Sequence, residues 1–215
     1  MASIEDCWRE ATQGLDEAAS ESWLVRVQEA YGDAKRTYHN LETLGEKLAA
    51  YAEARDCLKN PRAMLLAIFF QNLDYDPKAL DGDTKNLDQF EAFAAEVGIE
   101  ADSDLAKDTR QLLEAATTNS TEAHKIDGVY GSEDAHYLLD LDMAVLGSCP
   151  DKYADYCDKI RGEYSFLSEP MYTALRLKVL QNFLQIPNIF ATKEFREKYE
   201  EQARTNIKSE IELLS

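Results

Sequence analysis

The segment NPRAMLLAIFF, residues 60–70, constrains this chain more than any other. Asn60 before Pro61 is a strong helix start: the asparagine side chain can cap a free N–H, and proline at the first helical position gives up no needed donor. The helix that follows is apolar nearly all round, through Met64, Leu65, Leu66, Ile68, Phe69 and Phe70. Such a helix has no face to give to water, so the rest of the chain has to surround it.

The rest of the chain offers amphipathic helices to do so. Behind Ser20, the residues Trp23, Leu24, Val27 and Ala30 form one apolar face. A helix over about 36–55 carries Tyr38, Leu41, Leu44, Leu48 and Tyr51 at three-to-four spacing. Further helices are predicted over 87–97, closed by Gly98, and over 105–118, opened by Ser103. Another runs from a Ser132 cap to Gly147, read as a left-handed terminator, and three more cover 150–166, 170–185 and 193–214. Loops fall at 73–86 and 118–131, and no strand pattern of useful length appears. The expectation is an all-α bundle of roughly nine helices, a single domain over 1–215 with an extension helix over 1–20.

Asp and Glu outnumber Lys and Arg 41 to 23, a net charge of −18. That field repels phosphate backbones and anionic lipid, which argues against nucleic-acid partners. The longest apolar run, AMLLAIFF, is too short for a bilayer, so no direct membrane insertion is expected. The N-terminal MASIEDCWRE lacks the apolar stretch of a signal peptide. Cys7, Cys57, Cys149 and Cys157 show no metal or disulfide spacing and read as reduced thiols. The chain reads as soluble and intracellular, cytoplasmic by default, with a mitochondrial place reached without a cleaved presequence left open.

Candidate chemistry is sparse. Of the three histidines, none has a partner at the helical i, i+4 metal spacing. His136 reads as a hydrogen-bonded structural residue, His124 as solvated in a loop, and His39 as the one with distinctive neighbours. Asp140 and Asp142 interrupt an apolar helix; lying two apart, they cannot both face one site. Either one of them binds a metal, or one or both pair with a basic side chain such as Arg161 or Arg176. The acids of DYDPKALDGD lack the spacing of a calcium loop.

Several stretches together resemble the small all-α, predicted metal-dependent phosphohydrolases of the HD superfamily. They are YGDAKRTYHNLETL, LAIFFQNLDYDP, LDLDMAVLGS, YADYCDKIRGEY, RLKVLQNFLQIPNIFAT and EQARTNIKSEIELL, in the family's order over about residues 23–214. The resemblance implies an HD-domain-like helical bundle. It also implies a divalent-metal site, but here that motif is degenerate. His39 matches the family's first histidine, whereas the second falls on Thr43 and the His-Asp pair on Gln71 and Asn72. A later histidine position falls at Asn119 or Ser120, and only the aspartates Asp140 and Asp142 match the last motif.

These positions imply a pocket of His39, Thr43, Gln71, Asn72, Asn119 and Asp140, with His39 and Asp142 as residual ligands. Amide and hydroxyl side chains hold transition metals poorly, so no catalytic residue, metal or cofactor is expected. The resemblance then implies an inactive accessory subunit or protein-binding module in a larger assembly, with homo-oligomerisation left open. The alternative is a phosphohydrolase with an altered Mg²⁺ or Mn²⁺ site acting on a small phosphate ester or nucleotide. It would use His39, Asp140, Asp142 and the loop acids Asp74, Asp76, Asp81 and Asp83, with Lys35, Arg36, Arg161 and Arg176 offsetting the acidic field. A third reading keeps the emptied pocket as a small-molecule site.

Overall fold

The computed structural model describes residues 3–79, 82–118 and 120–215, and of residues 82 and 83 only the backbone. Asp81, Asn119 and the Asp83 side chain therefore lie outside the described residues. Among the described residues there are eleven α-helices and two 3-10 turns, and the one strand-like pairing is an isolated bridge between Gly131 and Thr192. The all-α expectation holds; the helix number exceeds the roughly nine read from the sequence. The chain divides into two compact units, Met1–Thr118 with Glu133–Leu138, and Asn119–Ser132 with Leu139–Ser215.

The first unit contains α1 (Ile4–Ala11), α2 (Glu17–Tyr31), α3 (Leu41–Ala54), α4 (Pro61–Phe70), α5 (Gly82–Val97) and α6 (Asp104–Ala116). As its composition demands, α4 is buried from Ala63 to Phe70. Its partners are α1, α3, α5 and α6. Phe69 meets Trp8 edge-on at 5.0 Å, and Phe70 lies 5.0 Å from Phe93 and 5.9 Å from Trp23. Each such ring contributes roughly 1.5–3 kcal/mol by leaving water. Residues 1–20 thus include α1, whose Trp8 enters this core, and the start of α2.

Local signals explain most helix ends. Asn60 Oδ1 accepts the Ala63 N–H at 3.1 Å, Ser103 Oγ accepts that of Ala106 at 3.3 Å, and Gly98 is left-handed at φ +82°. Two starts differ from the sequence reading. Asp16, rather than Ser20, caps α2 by accepting the Ala19 N–H at 2.8 Å, and Ser20 is buried inside the helix. Asn40 caps α3 through the Thr43 N–H, so that helix begins at Leu41 and not near residue 36.

The second unit holds α7 (Glu122–Lys125), the later part of α8 (Asp134–Met143), a 3-10 turn (Ala144–Gly147), α9 (Pro150–Glu163), α10 (Glu169–Gln185) and α11 (Lys193–Leu214). Gly147 is not left-handed as the sequence suggested. It is a point of close approach: a Cβ there would sit 2.5 Å from Tyr199 Cβ and 2.7 Å from the Tyr199 carbonyl oxygen. Nearby, Asn206 donates to the Leu146 and Ser148 carbonyls and fastens the turn to α11. Among the described residues no helix is long and apolar enough to cross a membrane. All four cysteines are free thiols; Cys7 is buried, Cys57 and Cys149 are exposed.

Candidate functional site

In the first unit, four of the predicted pocket residues lie at or beside the ends of α3 and α4. His39 directly precedes the Asn40 cap, is half-buried, and stacks on Tyr75 with ring centres 4.1 Å apart. Thr43 is half-buried, and its N–H donates to Asn40 Oδ1, the cap of α3, at 3.2 Å. Gln71 ends α4 and is 8 % exposed. The residue is engaged by neighbours, and its Oε1 is a buried acceptor with no hydrogen bond. Asn72 is half-buried, and its backbone carbonyl accepts from Arg36 Nη1 at 2.7 Å.

Two residues that the sequence reading did not single out as site residues, or gave another role, hold this corner in place. Arg36, offered above as a base for an anionic substrate, donates to the carbonyls of Asn72 and Leu73 at 2.7 and 2.8 Å. Asn86 is buried: its Nδ2 donates to the Gln71 carbonyl at 2.7 Å, and its Oδ1 accepts the Asp74 N–H at 2.7 Å. Its only mark in the sequence is an asparagine near the expected start of α5. An open cleft of about 360 Å³ adjoins, lined by Trp23, Arg26, Arg36, Leu73, Tyr75 and Gln89 among others.

In the second unit the predicted set includes Asp140 and Asp142. Asp140 is fully buried; Asp142 is half-buried, as expected of side chains pointing in different directions from one helix. Asp140 does not pair with Arg161 or Arg176. Its Oδ1 accepts the Ala191 N–H at 2.7 Å, and its Oδ2 accepts both the N–H and the hydroxyl of Thr192, at 2.8 and 2.6 Å. Thr192 is the N-cap of α11, and its Oγ1 accepts the Phe195 N–H. Asp140 therefore anchors the start of the longest helix, where a negative charge also meets the positive end of the helix dipole.

Burial is the largest influence on the Asp140 carboxyl and pushes its pKa up to about 6, against the hydrogen bonds from Thr192 and Ala191 and the charge of Arg196. Arg161 and Arg176 are engaged elsewhere in the same unit. Arg161 binds Glu169 at 2.9 Å, and Arg176 binds Glu210 at 2.7 Å in a buried pair. Tyr153 donates its hydroxyl to the same Glu210 carboxylate.

Two histidine readings resolve differently. His136 Nδ1 accepts the Glu133 N–H at 3.1 Å, a structural role as expected, with burial lowering its pKa. His124 is not solvated: it is 3 % exposed in α7, and its Nδ1 accepts the Thr121 N–H at 2.9 Å. The short helix that buries it has too few residues to show any periodicity.

As metal donors the residues fit poorly. At the implied ligand positions in the first unit only His39 is a transition-metal ligand type, and Asp140 already accepts three hydrogen bonds. Among the described residues no group of three or more His, Cys, Asp or Glu is placed to hold a metal ion. No family model, curated protein or solved structure matches the chain.

Proposed function

We propose that this chain is a non-catalytic HD-like module that serves as an accessory, protein-binding subunit of a larger assembly. The observation that carries the reading is the use of Asp140. It is the one carboxylate at the degenerate ligand positions, and it caps α11 through three short hydrogen bonds. Those donors occupy three of the about four acceptor sites of the carboxylate, so a metal bound there would compete with the anchor of α11.

The reading also accounts for Arg36, which ties the Asn72 and Leu73 carbonyls. An altered Mg²⁺ or Mn²⁺ hydrolase would need that guanidinium, and Asp140, for other work. The test is the native mass of the species containing this chain in a gentle extract of its source cells. A species far above 24.3 kDa with defined companion proteins is expected. A free monomer with metal-dependent phosphoesterase activity would overturn the proposal.

A further inference from the structure

The cleft of about 360 Å³ beside the His39 corner carries three charged side chains on its lining: Arg26, Arg36 and Asp74. Arg36 is half-buried, and its guanidinium is held by the Asn72 and Leu73 carbonyls at 2.7 and 2.8 Å. It lies 5.3 Å from the centre of the Tyr31 ring and 5.7 Å from that of Tyr75. These contacts fix the cation and leave part of its donor fork unused. Among the described residues no carboxylate forms an ion pair with it.

Asp74 follows directly on Leu73 and is also half-buried. Asn86 clamps its backbone: Oδ1 accepts the Asp74 N–H at 2.7 Å, and Nδ2 donates to the Asp74 carbonyl at 3.2 Å. Among the described residues its carboxylate pairs with no base, Arg36 included. A fixed cation and a fixed anion thus line one cleft without neutralising each other. Arg26 is exposed and stacks over Trp23, 4.5 Å from the ring centre. Its neighbour Glu96 accepts the Trp23 Nε1–H at 2.8 Å and lies 3.6 Å from Arg26 Nη1, too far for a hydrogen bond.

Charge and size together restrict the ligand. Arg26 and Arg36 balance Asp74 and Glu96, so the cleft offers no net charge to a phosphate ester or a polycation. The two groups left without ion partners match a molecule that carries a carboxylate and an ammonium close together, each able to form charge-assisted hydrogen bonds. Ala30, Leu73 and Tyr75 add apolar wall, and the volume sits at the small end of ligand sites.

We propose that this cleft binds a free α-amino acid with an aliphatic side chain, its carboxylate on Arg36 and Arg26 and its ammonium on Asp74. The site goes beyond the accessory-subunit reading and does not depend on it.

The test is calorimetric titration of the purified full chain with L-leucine, with isocaproate, which lacks the ammonium, and with isoamylamine, which lacks the carboxylate. Leucine should bind saturably at one site, and each truncated analogue about tenfold more weakly. Because the analogues are compared on the wild-type chain, this readout is independent of any folding defect. Asp74→Asn should weaken leucine by a similar factor and leave isocaproate unchanged, whereas Arg26→Gln should weaken both. Absence of saturable leucine binding overturns the site. So does either analogue binding as tightly as leucine, or a leucine affinity that survives Asp74→Asn. None of these results alters the native mass of the assembly, which tests the accessory-subunit reading separately.

Discussion

Asp140 and Thr192, far apart in sequence, meet through two hydrogen bonds: the Thr192 N–H at 2.8 Å and its hydroxyl at 2.6 Å both donate to Asp140 Oδ2. With the Ala191 N–H on Oδ1, they turn the carboxylate into the anchor of α11. The aspartate that the HD resemblance would assign to a metal is thereby a structural residue of the second unit.

Asp140→Ala is expected to lower stability by about 3 kcal/mol, combining a lost helix anchor with buried N–H groups left unpaired. Urea denaturation of the variant checks this. A variant as stable as wild type would remove the anchoring role.

The same residue sets a pH signature. Its folded-state pKa of about 6 lies above the ordinary 3.8, so the folded protein binds the proton more tightly than the unfolded chain. Its contribution is complete below about pH 4 and declines as pH rises through about 6. The stability of wild type relative to Asp140→Asn should therefore fall over that interval, measured by denaturation at each pH.

Glu210 gives the opposite sign. Burial raises its pKa, but Arg176 and Tyr153 outweigh burial and hold it below the usual carboxylate value of 4.5. Its stabilisation is present above that value and is lost as pH falls through the lowered one. Arg176→Met alone should cost about 3–5 kcal/mol by leaving Glu210 buried without its cation. Adding Glu210→Leu should recover most of that loss in a double-mutant cycle.

Glycines 147 and 45 should respond oppositely to alanine. At Gly147 the new Cβ meets the backbone of Tyr199 at 2.7 Å, where no side-chain rotation can relieve it, so Gly147→Ala should destabilise by about 3 kcal/mol. Gly45 lies inside α3 with open space around its Cβ position, so Gly45→Ala should stabilise by roughly 0.5–1 kcal/mol. Thermal midpoints of the two variants decide both.

What the sequence disclosed was local. Asn60, Ser103 and Gly98 end helices by contacts within a few residues, and the all-round apolar α4 declares its burial by composition alone. Gly147 was misread because glycine serves left-handed turns and close packing alike, and only the position of Tyr199 distinguishes them. The partners of Asp140 are about fifty residues away, and those of Asn86 are backbone groups of a preceding loop. Spacing along the chain carries no trace of either. His124 escaped because α7 spans only Glu122–Lys125.

The most direct test of the account is a calorimetric titration of the purified full chain with Mn²⁺, repeated with Asp140→Asn. The account predicts no stoichiometric binding to either protein. One equivalent of Mn²⁺ bound at micromolar affinity by wild type, and lost in the variant, would make Asp140 a ligand and contradict the account.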